Sequence, residues 1–209
     1  GYSSGDAIKA IQEVADKTLP RGFGIDWAGI SKDEVSRGNE AIYIFLVCLG
    51  FVYLILSAQY ESFILPLPII LSLPTGIFGA FLCLSLFGLE NNIYAQVAMV
   101  MLIGLLGKNA VLIVEFAVQK KAEEGLSTKE AALQGASLRF RPILMTSFAF
   151  IAGLIPLALA TGPGAVGNRT IGTAAAGGML IGTIFGLMII PGLYYIFANI
   201  AAKSKLTYY

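Results

Sequence analysis

No histidine occurs anywhere in the 209 residues. The side chain that ordinarily carries protons near neutral pH is therefore missing, and any proton chemistry must use Lys, Asp, Glu or water. Charge is scarce as well. Only 13% of residues are Asp, Glu, Lys or Arg, about half the usual share of a soluble domain. The net charge of +1 gives no basic field for nucleic acid. The two cysteines, Cys48 and Cys83, lie in apolar runs without a metal-ligand or redox spacing and read as small hydrophobes. No Met, His or Cys cluster is placed to hold a soft metal. No metal and no organic cofactor is expected.

What is abundant is apolar sequence, at 56% of residues and a mean hydropathy of +0.77. A water-soluble core of this length cannot hide that much apolar surface. The chain reads as an all-α membrane helix bundle of about five transmembrane helices, preceded by a short α+β segment. The expected spans are about 40–58, 63–87, 92–118, 140–161 and 170–200, with a charged helical loop at 119–139. Residues 1–39 are polar. Ile8, Ile11, Val14 and Ala15 recur at helical spacing, and Phe23, Ile25 and Trp27 alternate as in a strand. One helix and one strand cannot bury both apolar faces, so this segment reads as part of a larger soluble domain.

Lys120, Lys121, Lys129, Arg139 and Arg141 crowd the third connector and predict that it is cytoplasmic. Alternation then places residues 1–39 outside and the C-terminus inside. In that connector Gly125 is set to end one helix, and Ser127 with Glu130 to cap the next. Pro142 reads as the first turn of the following span. In the last span Ala174, Gly178, Gly182 and Gly186 recur every four residues, a stripe that admits close helix packing. "GPGAVGNRT" has the glycine spacing of a phosphate loop but lacks its Lys-Ser/Thr pair, and reads as a turn.

Charge inside a span is the informative exception. "GKNAVLIVEF" (107–116) sets Lys108 about 18 Å below the cytoplasmic end marked by Lys120, at 1.5 Å per residue. That is too deep to snorkel, so Lys108 must face the bundle interior or water and needs a partner. Glu115 lies seven residues on, along the same face. In the next span Arg139 and Thr146 are also seven apart. A proton relay and a structural ion-pair site both fit this pattern. Asn109, beside Lys108, and Glu115 are candidates to support a relay. No aspartate occurs in any span.

"IGLLGKNAVLIVEFA" followed by "LRFRPILMTSFAFIAGLIPL", with "IDWAGIS" and "SAQYESF" upstream, resembles the resistance–nodulation–division (RND) multidrug efflux transporters, hydrophobe/amphiphile branch. The resemblance covers nearly the whole chain and maps it onto the end of the porter domain plus the last five transmembrane spans. It implies a secondary transporter and not an enzyme: a proton-driven antiporter of the Gram-negative inner membrane, with residues 1–39 periplasmic. It implies a homotrimer that works with a periplasmic adaptor and an outer-membrane channel on hydrophobic or amphiphilic substrates. Lys108, Arg139 and Thr146 match the relay lysine, arginine and threonine. The lysine's acidic partners in the family lie in the N-terminal half, which this sequence does not include. Alternative readings are a related lipid or sterol carrier, a secretion component, a structural five-span protein, or an intramembrane hydrolase pairing Ser147 with Lys108.

The expected topology predicts that, in intact cells, an impermeant thiol reagent labels Gly164→Cys and spares Gly125→Cys. Labelling in the reverse pattern would invert the assignment.

Overall fold

The computed structural model describes residues 4–29, 31–32, 35, 40–162 and 164–206. They fall into two compact units, residues 1–48 and 49–209. The helices are α1 (Ser4–Thr18), α2 (Glu40–Gln59), α3 (Leu67–Leu86), α4 (Ile93–Glu124), α5 (Thr128–Ala158) and α6 (Ala165–Leu206). α3 to α6 are each long and apolar enough to cross a membrane, and the fully described part of α2, Leu46–Gln59, is a shorter apolar helix. The chain is a multi-pass membrane protein.

In the first unit α1 buries Ala15 but leaves Ile11 and Val14 exposed, and Phe23 is 73% exposed. The strand expected at Phe23–Trp27 is not formed. No strand occurs among the described residues. Alternation marks a segment able to join a sheet, but a strand exists only when a neighbouring backbone completes its hydrogen bonds, and no described segment does so.

The second unit owes its turns to specific residues. α3 starts on Pro66, with Pro68 in its first turn where a missing N–H costs nothing. It ends at Gly88, whose φ of 63° permits the Leu89 N–H to reach the Leu84 carbonyl at 2.9 Å and its own N–H to reach Ser85 at 3.2 Å. The Asn92 side chain accepts from the Ala95 N–H and starts α4. Gly125, at φ 64°, ends α4, and Ser127 and Glu130 form a reciprocal capping box that starts α5.

That cap moves two expected boundaries. The 119–139 connector is not a separate helical loop. It is the end of α4, a short turn at 125–127, and the opening turns of α5. Pro142 consequently lies inside α5, not at its start. A helix already nucleated by a capping box runs through the proline and leaves only the carbonyl four residues back unpaired. α6 runs from Ala165, five residues before the expected start, through Pro191.

α6 is the element against which the others pack, α3 most extensively, then α5 and α4. The crossings are made by small residues. A Cβ added at Gly79 would lie 3.0 Å from the Gly177 carbonyl oxygen. One added at Gly178 would lie 2.9 Å from the Gly76 oxygen and overlap Leu102, and one at Gly182 would lie 3.0 Å from the Gly76 Cα. α5 crosses α4 at Gly135 against Ala117, and α6 at Ala158 against Gly172. Around these points sit Leu73, Ala80, Leu84, Ala98, Leu102, Leu106, Ala174 and Met179 as one apolar cluster. A second cluster gathers Leu56, Ile69, Ile113, Val114, Ile143, Ile190 and Tyr194.

Replacing Gly178 by Val should destabilise the protein by about 1–3 kcal/mol or more, because backbone at the crossing cannot yield. Gly192→Ala, whose Cβ would meet nothing within 4 Å, should be neutral. Melting of the detergent-solubilised protein, followed by size-exclusion chromatography, compares the two.

Candidate functional site

α4 has two faces of opposite character. Ala95, Ala98, Leu102, Leu106, Ala110, Ile113 and Ala117 are buried at three- and four-residue steps. The far side carries Val97, Met101, Gly104, Lys108, Glu115 and Gln119, all exposed. Lys108 and Glu115 therefore share a stripe that the other described helices leave uncovered, about 10 Å apart along the axis. Among the described residues no hydrogen bond or ion pair involves either side chain. Lower on α4, toward the 125–127 turn, Lys120 does pair with Glu124.

Glu115 has a polar neighbour nonetheless. The Tyr60 phenol, in the connector after α2, is raised above its ordinary pKa first by burial and next by the Glu115 charge. Its hydroxyl donates to the Val111 carbonyl at 3.4 Å, one turn from Glu115.

Arg139 reaches α4 through an aromatic ring. Its guanidinium carbon lies 3.8 Å from the centroid of the Phe116 ring, a cation–π contact. Its Nε is buried and finds no hydrogen-bond partner, so part of its donor capacity is unspent. Thr146 lies farther along α5, exposed, and its hydroxyl donates to the Ile143 carbonyl at 3.0 Å. That is the local bond a helical threonine makes without any further partner. The structure thus brings Arg139 to the residue beside Glu115, and leaves Lys108 and Thr146 unbonded to one another.

Asn109 lies about 100° round α4 from Lys108, at the edge of the packed side. It is half-buried, and its Nδ2 is buried without a partner. It lines a small cavity with Ser72 of α3 and Thr183 and Gly186 of α6. Thr183 in turn shares a 3.0 Å hydrogen bond with Ser147 of α5. This bond occupies the buried Ser147 at the α5–α6 contact, whereas Lys108 is exposed, and no hydrogen bond joins the two among the described residues. Ser72 and Thr183 escaped sequence reasoning, because lone hydroxyls in apolar helices are common and carry no spacing signal. In the small-residue stripe Ala174, Gly178 and Gly182 are buried, the two glycines lying at the α3 crossing, whereas a Cβ on Gly186 would meet only Ile190 of its own helix. The stripe's partners on α3, Gly76 and Gly79, are likewise not marked by any repeat in the sequence.

The AcrB/AcrD/AcrF family model matches residues 1–198. The chain belongs to this family. It is 40% identical over 205 residues, 98% of its length, to the multidrug resistance protein MdtF of Escherichia coli (strain K12). The same identity and coverage hold for the toluene efflux pump membrane transporter TtgE and the antibiotic efflux pump membrane transporter ArpB of Pseudomonas putida. It spans about one fifth of the length of these curated relatives: 20% of MdtF and TtgE and 19% of ArpB. The family match includes the whole of α4 and α5, and hence Lys108, Asn109, Glu115, Arg139 and Thr146.

Proposed function

We propose that this chain forms the C-terminal part of a proton-driven RND efflux transporter and contributes Lys108 to its proton relay. The observation that carries the reading is the uncovered stripe on α4, with Lys108 and Glu115 on a helix whose opposite side packs into the bundle. A charge at the centre of a membrane helix costs roughly 2.5–3.5 kcal/mol by insertion scales. Such a side chain is kept where it meets an opposite charge or water. The RND resemblance puts that opposite charge on a pair of carboxylates in the N-terminal half of the same transporter.

The mechanism follows from charge balance. With the carboxylates ionised, Lys108 pairs with them. Protonating them removes their charge, and the ammonium is released toward water or Thr146. Each arrangement favours a different packing of the uncovered α4 face, so proton binding biases a shift of one helix bundle against the other. Arg139, with donor capacity left on Nε, and Glu115 lie toward the 125–127 turn and would conduct or tune proton entry. Asn109 would support the relay from the edge of the packed side of α4.

The relatives' names, as multidrug, toluene and antibiotic efflux proteins, support export of hydrophobic or amphiphilic compounds as the outcome. The remaining features are part of the same proposal: an inner-membrane homotrimer working with a periplasmic adaptor and an outer-membrane channel, residues 1–39 periplasmic and the C-terminus cytoplasmic.

In the full-length transporter, Lys108→Ala should abolish efflux of a fluorescent substrate at matched protein levels while leaving assembly intact. Lys108→Arg should fail too, since a planar guanidinium does not replace a compact ammonium. Leu112→Ala, one turn along, should be far milder. Wild-type efflux from Lys108→Ala would end the relay reading.

A further inference from the structure

Behind Lys108, on the packed side of α4, the bundle holds a cavity of about 10 Å³ lined by Ser72, Leu106, Asn109, Thr183, Gly186 and neighbouring aliphatic residues. Its volume is about that needed for the centre of one water molecule, and for nothing larger. Most of its lining is apolar, and a dry void would ordinarily follow. One atom argues otherwise. Asn109 Nδ2 is buried and unpartnered, and leaving a buried amide donor unsatisfied costs more than a made bond returns.

We propose that this cavity is a binding site for a single ordered water, which accepts a hydrogen bond from Asn109 and donates to hydroxyl oxygens of Ser72 and Thr183. The acceptor count allows it. The Ser72 hydroxyl spends its proton on the Ile69 carbonyl at 2.7 Å, which leaves its oxygen lone pairs free. Thr183 and Ser147 share one hydrogen bond between two hydroxyls, so acceptor capacity remains there too. Three bonds is the usual complement of a buried water. A metal cation is a poorer occupant, because the orphaned group is an N–H donor that would face it. The water bridges α3, α4 and α6, and the Thr183–Ser147 bond extends the link to α5. At the same level a Cβ on Gly186 would touch no other helix. One turn earlier Gly182, which also lines the cavity, meets the Gly76 backbone, so remakeable hydrogen bonds here adjoin a close helix crossing, one residue from Lys108. The assignment does not depend on the transport reading.

A density map of the full-length transporter in lipid nanodiscs, fine enough to show ordered waters, tests it. The expected result is a peak within hydrogen-bond distance of Asn109 Nδ2 and of Thr183 Oγ1 or Ser72 Oγ. The peak should be lost in Asn109→Leu. Should that variant fail to fold, Thr183→Val should weaken or displace the peak. X-ray hydroxyl-radical footprinting offers a second readout, since bound water is a local source of radicals. Buried Leu106 and Ile113 should be oxidised in the wild type and protected in either variant. An empty cavity in the wild-type map, or an Asn109 amide bonded directly to another protein group, would overturn the proposal, as would equal oxidation in wild type and variants.

Discussion

Backbone meets backbone where α3 crosses α6, at Gly76 and Gly79 against Gly177, Gly178 and Gly182. In a hydrocarbon solvent apolar side chains gain nothing by leaving lipid for protein, so helices must associate through dense contact and polar bonds. Contact is densest where no Cβ intervenes. The crossing fixes α6 as the common wall, and α4 and α5 then settle against it through their own small residues, Ala98 and Ala174 in one cluster, Gly135 against Ala117 in another place, and Gly172 against Ala158. Because these contacts are between backbones, they have little tolerance. They give the bundle a definite inside and outside.

That close packing gives the outer face of α4 its meaning. With Ala95, Ala98, Leu102, Leu106 and Ala110 committed inward, the helix cannot turn Lys108 into the bundle to find a partner. Lys108 is presented outward, together with Glu115, on a stripe that includes Gly104, where the chain again carries no side chain to hold a neighbour off. Under the relay proposed above, this packed wall presents the charge on which a two-bundle switch would act. Arg139, held over Phe116 with Nε unspent, adds a second cation nearer the 125–127 turn of the same wall. Asn109, at the edge of the packed side of α4, sets polar groups beside the Gly76–Gly182 contact.

Much of this was legible before any coordinates. Apolar run length located α3 to α6, since only an internally bonded helix survives in lipid. Gly125 and the Ser127–Glu130 pair marked a helix boundary through purely local chemistry, and local chemistry is what a sequence displays. Lys108 stood out as a cost without a visible return. What failed depended on distant residues. Phe23 to Trp27 alternate like a strand, but pairing needs a second strand. Pro142 has the look of a helix start, and the upstream cap overrode it. The glycines of α6 suggested a packing face, but not that Gly76 and Gly79 would be its partners, nor that Gly186 would fall beyond the contact. The seven-residue spacing put Lys108 and Glu115 on one face, and only the packed fold told which way that face points.

The central claim is that Lys108 serves as counter-charge to carboxylates elsewhere in the transporter. Infrared difference spectroscopy of the full-length protein in lipid, recorded across a pH titration, reads those carboxylates directly. An adjacent ammonium holds a carboxyl pKa down, so Lys108→Ala should move the protonation of a buried carboxyl band to higher pH, with Leu112→Ala matching the wild type. A carboxyl titration identical in wild type and Lys108→Ala would contradict the account.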